Sequence, residues 1–227
     1  MNRVPPPAEH VDRRSDYTRL QILRAASRLF ARNSYSRVNL DDILADAAVT
    51  KGAMYFHFRS KHALASAIVE LRMEEARASV DEVLARRLSG VETLIDLSFR
   101  IAIDDIGSEV ARAGLNLLEY IGRTDGLQSA VLGRWVEGYT RVIERAVAEG
   151  DIRDNGDAEV IGRLLVSVYM GLRQTSDLDD PERFLRDLQS AWMLILPGLT
   201  DPDRISYLAE FLKRRTIVAI KSASPLR

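Results

Sequence analysis

A chain of 227 residues is long enough for one generous domain or two of unequal size, and its 46% hydrophobic and 29% charged residues describe a globular protein rather than a disordered one. The absence of cysteine excludes a disulfide framework, a thiol nucleophile, an iron–sulfur cluster and a cysteine zinc site. No uncharged apolar run reaches the ~18 residues a spanning helix needs. The start, Met1 to Pro7, has no apolar h-region, so neither a membrane span nor a signal peptide is expected and a cytoplasmic protein is the default.

The formal charge of −1 hides an asymmetry. Residues 1–61 hold 11 Lys and Arg against 6 Asp and Glu, a surplus of +5, while the remainder holds 21 against 27, or −6. All three histidines, His10, His57 and His62, also lie near the front. A basic small segment joined to an acidic larger one suggests that the front meets a polyanion, although scatter in ordinary surface charge produces similar imbalances.

Residues 1–14 are Pro-rich and charged without periodicity and read as a disordered arm. From Tyr17 the pattern is helical, with Leu20, Leu23, Ala26, Leu29 and Phe30 on one stripe. Asn33-Ser34-Tyr35 closes this helix, with Asn33 able to take a left-handed cap. Asn39 is placed as the N-cap of a short helix, followed by Asp41 and Asp42 where the helix dipole favours anions. Ile43, Leu44 and Ala47 form its apolar face, and it stops near Ala48. Thr50 caps the next piece, Lys51 to Phe56, and Ser60 caps a longer helix through Leu64, Ile68 and Leu71.

The rest is helical almost throughout. Stripes include Val91/Leu94/Ile95/Phe99, Val131/Trp135/Tyr139/Val142, Ile161/Leu164/Leu165/Val168/Leu172, Phe184/Leu188/Trp192/Ile195 and Ile205/Leu208/Phe211/Leu212. Breaks fall at Ser89-Gly90, Gly107, Gly126, Gly150 to Gly156, Asp177 to Pro181 and Pro197 to Pro202. No stretch sustains the period-two alternation of a strand. The expected fold is all-α. The expected domains are a smaller helical part over 15–61 and a larger helical part over 62–227.

Three short helices within residues 17–58, the last two joined by about three residues, have helix-turn-helix spacing. In such a pair the second helix presents its N-terminal residues to the DNA major groove, which admits one helix. Thr50 offers a hydroxyl, Lys51 a long cation, Gly52 clearance, and Ala53 a methyl for a thymine methyl. Tyr55, His57 and Lys61 have donors for phosphates. Met54, Phe56 and Phe58 read as core pegs. An ordinary three-helix corner has the same spacing.

The run from Val38 through Ala48-Val49-Thr50-Lys51-Gly52-Ala53-Met54-Tyr55-Phe56-His57-Phe58 to Lys61 and Leu64 resembles the DNA-binding domain of TetR-family transcriptional regulators over about 45 residues. Ala48 stands where that pattern usually has a turn glycine, and Ser34 where a glycine commonly precedes the tyrosine. The resemblance implies a homodimeric repressor on a pseudo-palindromic double-stranded operator, with DNA contacts at Asn39, Thr50, Lys51, Gly52, Ala53, Tyr55, His57 and Lys61. A small hydrophobic effector would bind the body and shift the spacing of the two reading heads.

Further segments resemble the γ-butyrolactone autoregulator receptors within that family: Lys51 to Phe58, Val110-Ala111-Arg112-Ala113-Gly114-Leu115, Trp135 at a pocket tryptophan position, and Ala191-Trp192 to Leu199. The loop Gly122 to Gly126 departs from them. Candidate effector residues are Asn116, Trp135, Tyr139, Tyr169 and Gln174, polar or amphipathic groups amid apolar stripes. The same aromatic spacing also suits plain core. The stripes Ile161–Leu172 and Phe184–Ile195 are candidates for the dimer interface, and each also fits an intramolecular face.

A helical enzyme is the rival of another class. The sequence has no Gly-x-Ser-x-Gly elbow, P-loop, Gly-x-Gly-x-x-Gly or His-Glu-x-x-His, and the pairs Asp104-Asp105, Asp179-Asp180 and Glu74-Glu75 read as solvated faces. No cofactor, metal or membrane partner is expected. A protein-binding adaptor that kept a helix-turn-helix is a further alternative. Within the TetR reading, acyl-CoA esters and antibiotics compete with lactones as effectors.

Overall fold

The computed structural model describes residues 8–123, 126–153 and 156–226, with side chains from residue 15 onward. Residues 1–7 of the expected arm, Thr124 and Asp125 of the Gly122 to Gly126 loop, and Asp154 and Asn155 of a predicted break lie outside the described residues. The described residues are helical, in the order α1 (Ala8–Arg32), α2 (Leu40–Ala47), α3 (Lys51–His57), α4 (Lys61–Leu84) and α5 (Gly90–Gly107). There follow α6 (Glu109–Ile121), α7 (Leu127–Ala148), α8 (Ala158–Thr175), α9 (Pro181–Leu199) and α10 (Pro202–Ser222). One isolated bridge, Ile152 to Thr200, is the sole extended pairing among them. No helix among the described residues is long and apolar enough to cross a membrane.

α1 begins at Ala8, well before the apolar stripe at Tyr17. Ala8-Glu9-His10-Val11 contains no helix breaker, and Pro7 directly before it suits a helix entry. The helices gather into two compact units. The first holds residues 1–73 and 109–125, hence α1 to α3, the first half of α4, and α6. The second holds residues 74–108 and 126–227. The units therefore part within α4 rather than at the expected boundary after residue 61, and α6 joins the first.

In the first unit Ile22, Leu23, Ala26 and Phe30 of α1 are buried, while Leu20, expected on the same stripe, is 36% exposed. Their main partner is α6, whose Leu115, Leu117 and Leu118 are also buried. α1 ends differently from expectation. Asn33 has no left-handed backbone; its side-chain amide donates to the Leu29 carbonyl at 3.0 Å. The Asn116 amide of α6 donates to the carbonyls of Phe30 (3.0 Å) and Ala31 (3.3 Å), satisfying acceptors that a helix end leaves open.

The second unit is built on Leu94, Phe99, Ile143, Phe184, Leu188 and Trp192, all buried. Gly90 sets the α5–α7 crossing, since a Cβ there would stand 2.3 Å from the Ala146 Cβ. The start of α5 is tied by carboxylates. Glu149 accepts from the Gly90 amide at 2.7 Å, and Glu92 accepts from the Ser89 amide at 2.9 Å. Asp151, 2% exposed, meets Arg204 at 2.9 Å. Further along, buried Asp96 is held by Arg86 at 2.7 Å and by Arg215.

Candidate DNA-reading helix and effector core

The turn into α3 is made by Ala48-Val49-Thr50. Ala48 takes φ 52°, ψ 41°, the left-handed conformation that ends α2, at a cost of ~1 kcal/mol for a residue with a Cβ. Its amide turns back to Ala45 and Leu44, and the Val49 amide bonds the Leu44 carbonyl at 3.2 Å. Thr50 then caps α3, its Oγ1 accepting from the Ala53 amide at 3.2 Å. Arg28 of α1 braces the pair by gripping Asp46 at 2.7 Å.

Met54 plugs α3 into the unit and is fully buried, which contributes ~2 kcal/mol. Thr50, Lys51, Gly52 and Tyr55 are exposed, Ala53 and His57 half-buried. Of the three expected core pegs, Met54 and Phe58 are buried, but Phe56 is 79% exposed. Two residues apart on a helix is about 200°, so Met54 and Phe56 stand on opposite faces, whereas Phe58 lies beyond α3 and turns back inward. Phe56 meets His57 edge-on, with centroids 5.0 Å apart. Asn39 occupies the N-cap position of α2 but its side chain makes no capping bond, leaving it exposed.

Lys61 is placed differently from a free phosphate donor. Its ammonium donates to the Tyr35 carbonyl and lies 4.2 Å from the Tyr35 ring centroid. Tyr35 in turn stacks on Phe30 at 5.9 Å. Burial lowers the Lys61 ammonium pKa and raises that of the Tyr35 hydroxyl.

The five candidate effector residues do not form one group. Asn116 belongs to the first unit, where its amide serves the end of α1. Gln174 is exposed near the end of α8, while neighbouring Arg173 turns inward. Trp135 and Tyr139 stand one turn apart on α7, both half-buried, and Tyr139 packs against the core. Burial pushes the Tyr139 hydroxyl pKa up, and a hydrogen bond with Ser98 works the other way. Tyr169 is buried, edge-on to Phe184 at 6.3 Å, and its hydroxyl donates to Asp105 at 3.3 Å.

Asp105 was expected on a solvated face with Asp104 and is instead fully buried, paired with Arg173 at 2.8 Å. The local pattern could not reveal this, because the two partners are 68 residues apart and Arg173 ends an otherwise apolar stripe. Arg173 directly after Leu172 was the one available signal.

Residues 22–68 match the family described as bacterial regulatory proteins, tetR family, and residues 88–201 match the tetracyclin repressor-like C-terminal domain. The chain is 29% identical to the A-factor receptor protein of Streptomyces griseus over 82% of its length, and the match spans 65% of that receptor. It is 33% identical to the HTH-type transcriptional regulator TtgR of Pseudomonas putida, over 76% of this chain and 86% of that protein. Among solved structures, a γ-butyrolactone receptor (ArpA-like protein) superposes with TM-score 0.78 at 30% identity, over 90% of this chain and 99% of the other. CprB of Streptomyces coelicolor, a TetR-family protein solved with its biological operator sequence, gives 0.77 at 30% identity, over 90% and 99%. These relatives are regulators, which sets the enzyme reading aside. The chain belongs to the tetR family of bacterial regulatory proteins.

Proposed function

We propose that this protein is a homodimeric repressor that holds a pseudo-palindromic duplex operator through α3. It releases that operator when its second unit binds a small hydrophobic effector of γ-butyrolactone type. The observation that carries the DNA half is the outward set Thr50, Lys51, Gly52 and Tyr55 on a helix pinned from behind by buried Met54. Thr50 to Ala53 read base edges, Tyr55 and His57 donate to phosphates, and Asn39, exposed at the start of α2, adds a further DNA contact. Lys61 acts by holding the turn at Tyr35.

The effector half is supported by the likeness to the A-factor receptor and the γ-butyrolactone receptor. Trp135 and Tyr139 are its best-placed residues, each combining an apolar body with one donor. A two-fold operator needs two reading heads, hence two copies. Such a repressor works in the cytoplasm, where the DNA is.

The test begins by selecting duplexes from a random pool with the full-length protein. Two inverted half-sites should be enriched, and affinity should fall linearly in log salt. Adding synthetic γ-butyrolactones should then release the duplex and change tryptophan fluorescence in a Trp192→Phe background, where Trp135 alone reports, while Trp135→Ala in the otherwise wild-type chain should raise the lactone concentration needed for release. No enriched duplex would defeat the DNA half. Release by acyl-CoA esters or antibiotics but not by lactones would defeat the effector class alone.

A further inference from the structure

The face of α3 that points away from the core carries an exposed aromatic ring and, one turn earlier, a position with no side chain. With Met54 buried, the opposite positions are Gly52 and Phe56, four residues apart and one above the other. Helical side chains lean toward the N-terminus, so Phe56 leans to the Gly52 end of this face, although no ring atom comes within 4 Å of where a Gly52 Cβ would stand.

Neither residue is explained by the fold. Phe56 is 79% exposed. A Cβ added at Gly52 would meet Thr50 Oγ1 at 4.0 Å, an ordinary contact, and the backbone there is not left-handed. Glycine inside a short helix weakens it, and a phenyl ring left in water is an unburied apolar patch. Both features become favourable when a surface comes into contact range.

The occupant is set by charge. Lys51 and Arg59, which flank the pair in sequence, are exposed, and residues 1–61 carry a surplus of +5. That surface suits duplex DNA, whose major groove displays one apolar group, the thymine 5-methyl. We propose that Phe56 packs against a thymine methyl in each operator half-site, with Gly52 providing the clearance that lets ring and helix backbone reach it. The proposal rests on the DNA-binding reading and adds to it a salt-insensitive, base-specific contact.

The test uses the full-length protein and the duplex it selects. Phe56→Ala should weaken binding about tenfold, ~1.4 kcal/mol, with an unchanged salt slope. Its unfolding midpoint should stay within ~2 °C of wild type, as expected for an exposed position. Replacing thymine by uracil at the contacted position in a single half-site should cost the wild type about fourfold, the worth of one buried methyl. The same replacement should cost Phe56→Ala nothing. Gly52→Ala should raise the unfolding midpoint while weakening the operator.

Wild-type affinity in either variant would overturn the proposal, as would a uracil penalty that persists in Phe56→Ala. A large fall in the unfolding midpoint of both Phe56→Ala and Phe56→Leu would also overturn it, by placing the ring in the fold. A wild-type protein that selects no duplex fails one step earlier, at the DNA-binding reading.

Discussion

Lys61 shows how a residue inherited with a motif acquires a different task from its surroundings. Its ammonium is directed at the Tyr35 carbonyl and ring, and the Tyr35 ring stacks on Phe30 in the core, so Lys61 fastens the start of α4 to the turn after α1. A lysine that neutralises a phosphate releases a counterion, and its loss lowers the salt slope by about one. A lysine spent on the fold leaves that slope alone. Lys61→Met is therefore expected to lose ~1 kcal/mol of stability and some operator affinity at an unchanged slope, whereas Lys51→Ala lowers the slope. Denaturant unfolding together with binding at three salt concentrations separates the two roles. A reduced slope for Lys61→Met would return the residue to the phosphate contacts.

At the scale of elements, the start of α5 gathers carboxylates from distant parts of the chain around its own capping Glu92. Burial alone would raise the Glu92 pKa, but hydrogen bonds from Tyr207 and Ser89 and the charge of Arg204 outweigh it and hold the carboxyl below its ordinary value. A carboxylate with a depressed folded pKa stabilises fully above the unfolded value, ~4.3, and loses that contribution as pH falls through the folded value. Glu92→Gln should thus be ~1 kcal/mol less stable than wild type at pH 7, with the gap closing in acid below about pH 4. Thermal melts of both proteins from pH 7 to 3 measure it, and a gap independent of pH would assign the loss to shape rather than charge.

What the sequence made legible follows from the range of each interaction. Thr50 and Ser60 were readable as caps because a hydroxyl reaches an amide three residues on, as both do here. Phe56 was misplaced by following apolar character instead of angle. Asp96, Asp105 and Asn116 take partners 10, 68 and 86 residues away, as Glu92 does with Tyr207 beyond its local bond to Ser89, and no periodicity encodes such pairings.

For the whole molecule the deciding question is which apolar surface remains once the core is complete. Leu165, Phe184, Leu188 and Trp192, taken from the two stripes expected at the dimer interface, are consumed inside the second unit. On those two helices what stays outside is Val160 (62% exposed) and Leu164 (48%) of α8 and Leu194 (83%) of α9, with Met193 at the edge, while α10 leaves Ile217 and Val218 exposed as well. Exposed aliphatic residues of this size at helical spacing are costly for a monomer and ordinary for an interface that buries ~1,200 Å² or more. Wild-type protein should therefore scatter light with about twice the 25.5 kDa of one chain. Leu194→Glu should halve that mass with little change in unfolding midpoint, because its side chain is not in the core. Leu196, two residues on and fully buried, provides the contrast: Leu196→Ala should cost ~3 kcal/mol of stability. Separating the copies also separates the reading heads, so Leu194→Glu should bind the full operator roughly a hundredfold more weakly while binding a single half-site like wild type. A Leu194→Glu protein that remains dimeric would move the interface away from α9, and a monomeric wild type at micromolar concentration would remove it altogether.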